Sequence, residues 1–594
     1  MILQALYEYY QRKKDTLPQE GFEIKEIKFV IIINKEGRFI DLVDLKENRK
    51  GKQFLLPKSV GRSGTNSWQT AFLLWDHYGF VLAHPKKSST KSIEMARKQN
   101  QTFVDKIKSL PEELKEDKGV NAVLSFYETN QIVEVKKHQN WEDCSRIPGC
   151  NLTFRVDGDS ELVPQRESVA TYQKSLFAED QNDEDSEKII AACLITGKRG
   201  PIARLHTPTS IIGSKSNARL VSFQVNSGFD SYGKEKAYNA PISMKAEAAY
   251  STALKHLISS STNKKIISDT TVLFWSEKTS TVINPEEIFS WVIASQSAKE
   301  DDPDKGVKVI NSLYDAVFTG QLPREKNNHF YVLGLAPNAA RISVRFWKTP
   351  SVEEFGRNIV KHFDDFKIIH GPNEPEKLSL YQILSSTALQ YKMENVPPNL
   401  TSKVIESIID GTPYPQTLIQ QCIRRIRAEQ NVNRARASII KASLNRYNRI
   451  HKPNEKEITM ALDKTNTNPG YLLGRLFAVL ERAQNAANNY KEPNAGIRDR
   501  FYGAFSSSPI SVLPLLEKLY GHHLGKIEKS KGFFESLKGE IMDKLVALNI
   551  PAHLSMEQQA LFSSGYYHQK QDFFTNKKDS DELEQTTINS NKGE

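Results

Sequence analysis

The sequence predicts an α+β protein, with a mixed α/β N-terminal and central region followed by a C-terminal α-helical bundle. Two observations carry this. Through the first ~350 residues, short apolar runs with strand character alternate with helical stretches and turn residues. Beyond about residue 373 the strand-like runs vanish and apolar positions recur with the 3.6-residue period of helices. A length of 594 residues allows two to four domains. The changes of pattern suggest an N-terminal α/β part over 1–145, a β-rich α+β part over 146–372, a bundle over 373–575 and a disordered tail over 576–594.

In chain order, residues 1–14 form an amphipathic helix, with Ile2, Leu3, Leu6, Tyr9 and Tyr10 on one side. "KFVIIINKEGRFIDLVDL" is a β-hairpin turning at Asn34–Gly37. "SIEMARKQNQTFVDKIKSL" is a helix that stops before Pro111. The acidic stretch 177–188 reads as an exposed linker or loop. "IIAACLITG", "ARLVSFQV", "DTTVLFWS", "HFYVLGL" and "RISVRFW" are strand candidates, and Ser243 can cap a helix over "MKAEAAYSTALKHLISS". The bundle helices are expected at 377–393, 401–410, 415–429, 432–448, 469–488, 509–529, 531–548 and 555–574. Asn468-Pro469 and Ser508-Pro509 supply N-caps, and Ser555 with Gln558 a capping box.

The formal charge of +10 suits a polyanionic partner. Four cysteines in so long a chain make neither a disulfide framework nor a zinc quartet. No run approaches the ~20 apolar residues of a membrane span, and the N-terminus lacks the pattern of a signal peptide, so a cytoplasmic location without membrane contact is expected. Phosphate-loop, zinc-protease and nucleophile-elbow motifs are absent. His362, Asp364 and Asp365 in "KHFDDF" form the one cluster that resembles a metal nuclease site, but no further ligands stand nearby and a solvated helix end is the competing reading. No cofactor is expected.

Two segments suit nucleic acid. In "GRSGTNSWQT", residues 61–70, Ser63, Thr65, Asn66, Ser67 and Gln69 can donate and accept at base edges, while Gly61 and Gly64 allow close backbone approach. An ordinary surface loop fits the same residues. Arg62 before them, and Lys86 and Lys87 after, could hold a DNA backbone. The second segment, Ile423–Lys452, carries Arg424, Arg425, Arg427, Arg434, Arg436, Lys441, Arg446, Arg449 and Lys452 against the single acid Glu429. A solvated face would mix signs, so the segment reads as a phosphate-binding helix pair. The turn at Asn226, Ser227, Gly228 and Tyr232–Lys236 could make a second nucleic-acid or subunit contact, or simply pack.

Longer phrases carry a resemblance. "MILQALYEYY", "FVIIINKEGRFIDL", "LLWDHYGFVLA", "LVSFQVNSGFDSYGKEKAYNAPIS", "TTVLFWS", "LGLAPNAARISVRFW", "DKTNTNPGYLLGRLFAVLERAQ" and "GYYHQKQDFFT" occur in this order. In them the chain closely resembles, over nearly its whole length, the large subunit of the type I-C CRISPR surveillance complex (Cascade). The resemblance implies a non-catalytic subunit that sits near the guide RNA. Such a subunit reads a short motif beside the target in duplex DNA, promotes R-loop formation, helps hold the displaced strand and recruits a helicase–nuclease. It works beside backbone and small Cascade subunits. With that division of labour, Asn66 and Gln69 are the base readers, with Ser63, Gly64, Thr65 and Ser67 in support. Arg62, Lys86 and Lys87 hold the duplex backbone. Arg424, Arg425, Arg427, Arg434, Arg436, Lys441 and Arg446 hold the displaced strand. One departure stands out: where such proteins often carry a Pro-Asn pair before the LLWD-like phrase, this chain has Thr70-Ala71-Phe72. Met460 could start a separate small subunit by internal initiation. Two rival readings are a metal-dependent nuclease and a motif-independent single-strand binder.

Overall fold

The computed structural model describes residues 1–59, 62, 66–182, 189–224, 226–229, 232–278, 282–293, 305–322, 328–490, 495–527 and 530–574. Helix makes up 51% and strand 14%, with sheets in the N-terminal and central parts and helices at the C-terminus, which is the expected α+β class. The chain divides into two compact units: Met1–Ser210 with Lys215–His256, and Ile211–Ser214 with Leu257–Glu594.

The first unit opens on the helix Ile2–Arg12, which buries Ala5, Leu6, Tyr9 and Tyr10. The hairpin forms as expected: strand Phe29–Ile33 pairs antiparallel with Phe39–Asp44. On its other side Phe29–Ile33 takes Asn151–Val156 in parallel, and that strand takes Trp75–His77 antiparallel at the sheet edge. Phe29–Ile33 is apolar at every position because both faces of this inner strand are covered. Phe29, Ile31 and Ile33 pack with Phe103, Val123, Phe126 and Phe154, whereas Val30 and Ile32 pack with Trp75 and Leu56. Strands Phe22–Ile27 and Lys52–Pro57 form a separate antiparallel ribbon.

The second unit holds a four-stranded antiparallel sheet in the order Arg341–Lys348, Phe330–Asn338, Thr270–Ser276, Lys264–Ile267. Phe274 and Phe330 pack against Phe289 and Phe355 from flanking helices. The same apolar core continues through Ile383, Ile405 and Cys422 to Leu476, Phe477 and Phe562 of the helical part. Helices Pro469–Ala487 and Met556–Asp572 touch backbone to backbone: a Cβ added at Gly474 would lie 2.0 Å from the Phe562 carbonyl oxygen, and one at Gly565 would lie 2.1 Å from that of Tyr471.

Several local expectations change. "ARLVSFQV" forms no named strand over its described residues; Arg219 instead donates from Nε to the His206 carbonyl at 2.6 Å. Residues 177–182 continue the helix Glu167–Asn182 rather than opening a linker, and 183–188 lie outside the described residues. Within 377–393 the α-helix spans only Leu380–Ser386, and Gln390 and Tyr391 then adopt positive φ. A helix over Ile497–Phe505 is additional to those expected. Asn468 caps its helix and Ser555 forms the capping box with Gln558, but the Ser508 hydroxyl pairs with His553 Nδ1 at 3.0 Å instead of capping. The tail from 576 lies outside the described residues.

Candidate nucleic-acid interface

The polar loop rises from a buried ion pair. Asp76 sits on the edge strand Trp75–His77 and is wholly buried. The Arg62 guanidinium reaches it from the loop, donating to both carboxylate oxygens, from Nη1 at 2.9 Å. Arg62 Nε also donates to the Thr70 carbonyl at 2.5 Å, which ties the two limbs of the loop together. The guanidinium lies over two aromatic rings, 3.7 Å from Phe72 and 4.0 Å from Phe80. Backbone N–H groups of Phe72 and His77 donate to the same carboxylate, at 3.1 and 2.8 Å. Burial raises the Asp76 carboxyl above its usual range, while the Arg62 hydrogen bonds and charge oppose that rise.

The support under this pair is firm. Lys106, from the helix Thr90–Lys108, donates to the Ala71 carbonyl at 2.7 Å. From the same helix, Asn100 bonds the Phe80 and Val81 carbonyls at 2.6 and 3.2 Å. Trp75 Nε1 donates to the Pro57 carbonyl at 2.9 Å. Arg62 is thus an anchor rather than the backbone-holding cation expected from sequence, because its donors are committed to Asp76 and Thr70.

Above this base, Ser67–Gln69 form a 3₁₀ turn that packs on the Thr90–Lys108 helix. Lys98 of that helix lies over the Trp68 ring at 5.8 Å. Asn66 and Gln69 are exposed, and their side-chain amides have no hydrogen-bond partner among the described residues; Ser67 is half-buried. Ser63, Gly64 and Thr65 lie outside the described residues. Lys86 and Lys87 are exposed, as are Lys91 and Arg97 of the adjoining helix. Burial first, and then the charges of Lys86 and Arg62, lower the proton affinity of His77.

The arginine segment behaves differently from its expectation. Arg424 and Arg427 are exposed on the helix Gln416–Glu429, and Arg425 is half-buried, 3.6 Å from Glu429. The next helix, Arg434–His451, turns its cations inward. Arg436 is 0% exposed and donates to the Ser386 and Asn431 carbonyls, both at 2.9 Å, and to Glu429. Arg434 donates to the Pro375 and Glu376 carbonyls. Lys441 donates to the Asp364 and Asp365 carbonyls at 3.2 and 3.0 Å, and burial pushes its ammonium down to about 8. Arg446 pairs with buried Asp365 at 2.6 Å and lies over the Tyr414 ring at 4.3 Å. Arg434, Arg436, Lys441 and Arg446 therefore do not offer phosphate sites: buried and bound to protein oxygens, they cannot reach a strand. The sign excess that suggested a binding face reflects instead a buried helix whose counter-charges and carbonyls come from distant segments.

The same network absorbs the "KHFDDF" cluster. His362 is buried, with Nδ1 2.7 Å from the Tyr414 hydroxyl, and burial holds it well below its ordinary value. Asp365 is held by Arg446 and Arg449, and Asp364 accepts from the Tyr314 hydroxyl at 2.8 Å. Among the described residues, no group of three or more His, Cys, Asp and Glu side chains could hold a metal ion. Nor is any described helix long and apolar enough to cross a membrane.

Against known families, residues 6–574 match the model of the CRISPR-associated protein Csd1. The chain belongs to the Csd1 family of CRISPR-associated proteins. That is the family of the type I-C large subunit, which the quoted phrases resemble. No curated protein matches the chain.

Within this Csd1 chain, sequence reasoning overlooked Asp76. The signal was present: a carboxylate inside the apolar phrase "LLWDHYGF" requires a cation, and Arg62 is the nearest arginine upstream. Among the turn residues, Asn226, Ser227, Gly228, Tyr232, Gly233, Lys234 and Glu235 are exposed and Lys236 is half-buried.

Arg62→Ala leaves Asp76 buried without its partner. It should cost about 3–5 kcal/mol in denaturant unfolding and open residues 61–70 to limited proteolysis. An unchanged midpoint and an uncut loop would contradict the anchoring role. A second prediction concerns His77. Its Nδ1 accepts the Gly79 N–H at 3.0 Å, and burial, then Lys86 and Arg62, lower it from 6.5 to about 3. The unfolded chain binds the extra proton between those values, so stability present above about pH 6.5 is lost as pH falls toward 3. His77→Asn keeps a capping acceptor and does not titrate. Its stability relative to the parent should therefore rise as pH is lowered through that window, whereas parallel curves would refute a neutral buried His77.

Proposed function

We propose that this chain is the non-catalytic large subunit of an RNA-guided type I-C CRISPR complex, and that the loop at residues 61–70 reads the short motif beside the target in duplex DNA. The observation that carries the proposal is the pairing of two exposed amides, Asn66 and Gln69, without a hydrogen-bond partner among the described residues, with a base clamped by Arg62 and Asp76. Base edges are read by groups that both donate and accept from a preorganised position. Asn and Gln have that chemistry, and the clamp limits the conformational freedom otherwise lost on binding. Lys86 and Lys87 flank the loop and would hold the duplex backbone. Ser63, Gly64, Thr65 and Ser67 complete the reading loop.

In this reading, guide RNA pairs with the target along its length and the protein reads only the flanking motif. Arg424 and Arg427, with Arg425 in support, hold the displaced strand without sequence preference. Backbone and small Cascade subunits and a recruited helicase–nuclease complete the assembly, and the last of these cuts. The non-catalytic assignment is supported by what His362, Asp364 and Asp365 already do: Asp365 pairs with Arg446, His362 is buried against the Tyr414 hydroxyl, and Asp364 accepts from the Tyr314 hydroxyl. The cytoplasm is the compartment where such a complex would meet its target.

The test compares two variants in the assembled complex, on targets with intact and scrambled flanking base pairs. Asn66→Ala with Gln69→Ala should weaken binding to intact targets by about 1–3 kcal/mol for each base-edge interaction removed, and leave scrambled targets nearly unchanged. Arg424→Glu with Arg427→Glu should weaken both targets alike and flatten the salt dependence. Equal losses on both targets from the amide pair would refute motif reading by the loop.

A further inference from the structure

The strand Lys52–Pro57 runs into the reading loop at one end. At its other end stands a hairpin tip with no part in the site described above. Glu47 and Lys50 close a two-residue turn, each donating its N–H to the other's carbonyl, at 2.8 and 3.0 Å. The central residues Asn48 and Arg49 both take positive φ, +50° and +70°. Positive φ at both positions is the type I′ signature, and its second position favours glycine. Asparagine tolerates that conformation, but arginine has no local hydrogen bond to offset the crowding of its Cβ. Two residues on, a glycine is used: a Cβ on Gly51 would lie 2.4 Å from the Ile27 carbonyl oxygen, and the Gly51 N–H donates to Glu26 at 2.8 Å. The tip is thus firmly seated, and it keeps a guanidinium where the backbone would prefer none.

Charge at the tip is unspent. Arg49, Lys50 and Lys52 are exposed, and their side chains have no partner among the described residues. Lys46, by contrast, pairs with Asp44 at 3.2 Å and covers the Phe29 ring at 4.7 Å. A guanidinium held at a strained, exposed apex without a partner among the described residues is the observation from which a functional reading starts.

We propose that Arg49, Lys50 and Lys52 form a phosphate-binding tip for the sugar–phosphate backbone of duplex DNA. The proposal rests on the reading of the loop as a duplex-facing element. From Lys52 to Pro57 the strand spans about 17 Å, with the tip at one end and the chain's approach to the loop at the other. A duplex that lies along this ribbon with its base edges at the loop brings a backbone past the tip. The guanidinium fork of Arg49 suits a phosphate there, and the tip adds affinity without sequence preference.

The test uses the full-length chain with duplexes carrying intact or scrambled flanking motifs, and guide RNA as a third ligand. Arg49→Gly relieves the positive φ, so it should melt at or above the parent temperature while binding both duplexes more weakly. The slope of log affinity against log salt should flatten by about 0.9 for each phosphate no longer neutralised. Lys50→Gln, at an unstrained position, should show the same binding loss without the gain in melting temperature. Guide-RNA affinity should not change. Parental duplex affinity in both variants, or a loss confined to RNA, would overturn the proposal. Failure of motif reading alone would show in the Asn66 and Gln69 variant and leave the tip's sequence-blind contribution intact.

Discussion

The interaction on which the account depends is the buried pair between Arg62 and Asp76. A carboxylate taken wholly out of water is costly unless charge and hydrogen bonds replace its hydration. Here two guanidinium N–H groups and two backbone N–H groups do so, while the cation lies over the Phe72 and Phe80 rings. Once formed, the pair ties Arg62 to the strand Trp75–His77, and the Arg62 bond to the Thr70 carbonyl ties it to the far limb of the loop. A loop of small polar residues would otherwise sample many conformations, and ordering it on a partner would consume much of the binding energy. The same cation that looked from sequence like a DNA ligand is, in the structure, the anchor of its own loop.

A parallel logic governs the helical part. Arg436, Arg446 and Lys441 are buried at positions where an apolar residue would pack more simply. Each bridges the helix Arg434–His451 to a segment distant in sequence: Ser386, Asp365 and Ser407, and the end of the Val352–Phe366 helix. Removing one partner of such a network leaves uncompensated charge, so these residues fix which segments meet. The network also occupies "KHFDDF": Asp365 is the counter-charge of Arg446 and Arg449, Asp364 accepts from the Tyr314 hydroxyl, and burial against Tyr414 holds His362 neutral.

The fold was legible where period and length spoke clearly. The all-apolar run Phe29–Ile33 beside a turn, and the long capped helices from Asn468 and Ser555 onward, needed no tertiary information. "ARLVSFQV" misled because alternating apolar residues resemble a strand whether or not a neighbouring strand exists to pair with them. The arginine segment misled for a related reason. Local charge excess says nothing about acids and carbonyls supplied from 50 and 81 residues away, which is where Ser386 and Asp365 stand relative to Arg436 and Arg446. Within the polar loop, residue chemistry pointed to Asn66 and Gln69, and both are exposed; the role of Arg62 needed the buried Asp76 to be seen in space.

The central claim is that a clamped loop presents neutral amides to paired bases. Site-specific photo-crosslinking tests it most directly, with a photoreactive side chain at position 66 or 69 in the complex assembled on target DNA. The account predicts crosslinks to the base pairs immediately flanking the target, at a strength that depends on an intact Arg62. Crosslinks only to protein, to guide RNA or to DNA remote from that flank would contradict it.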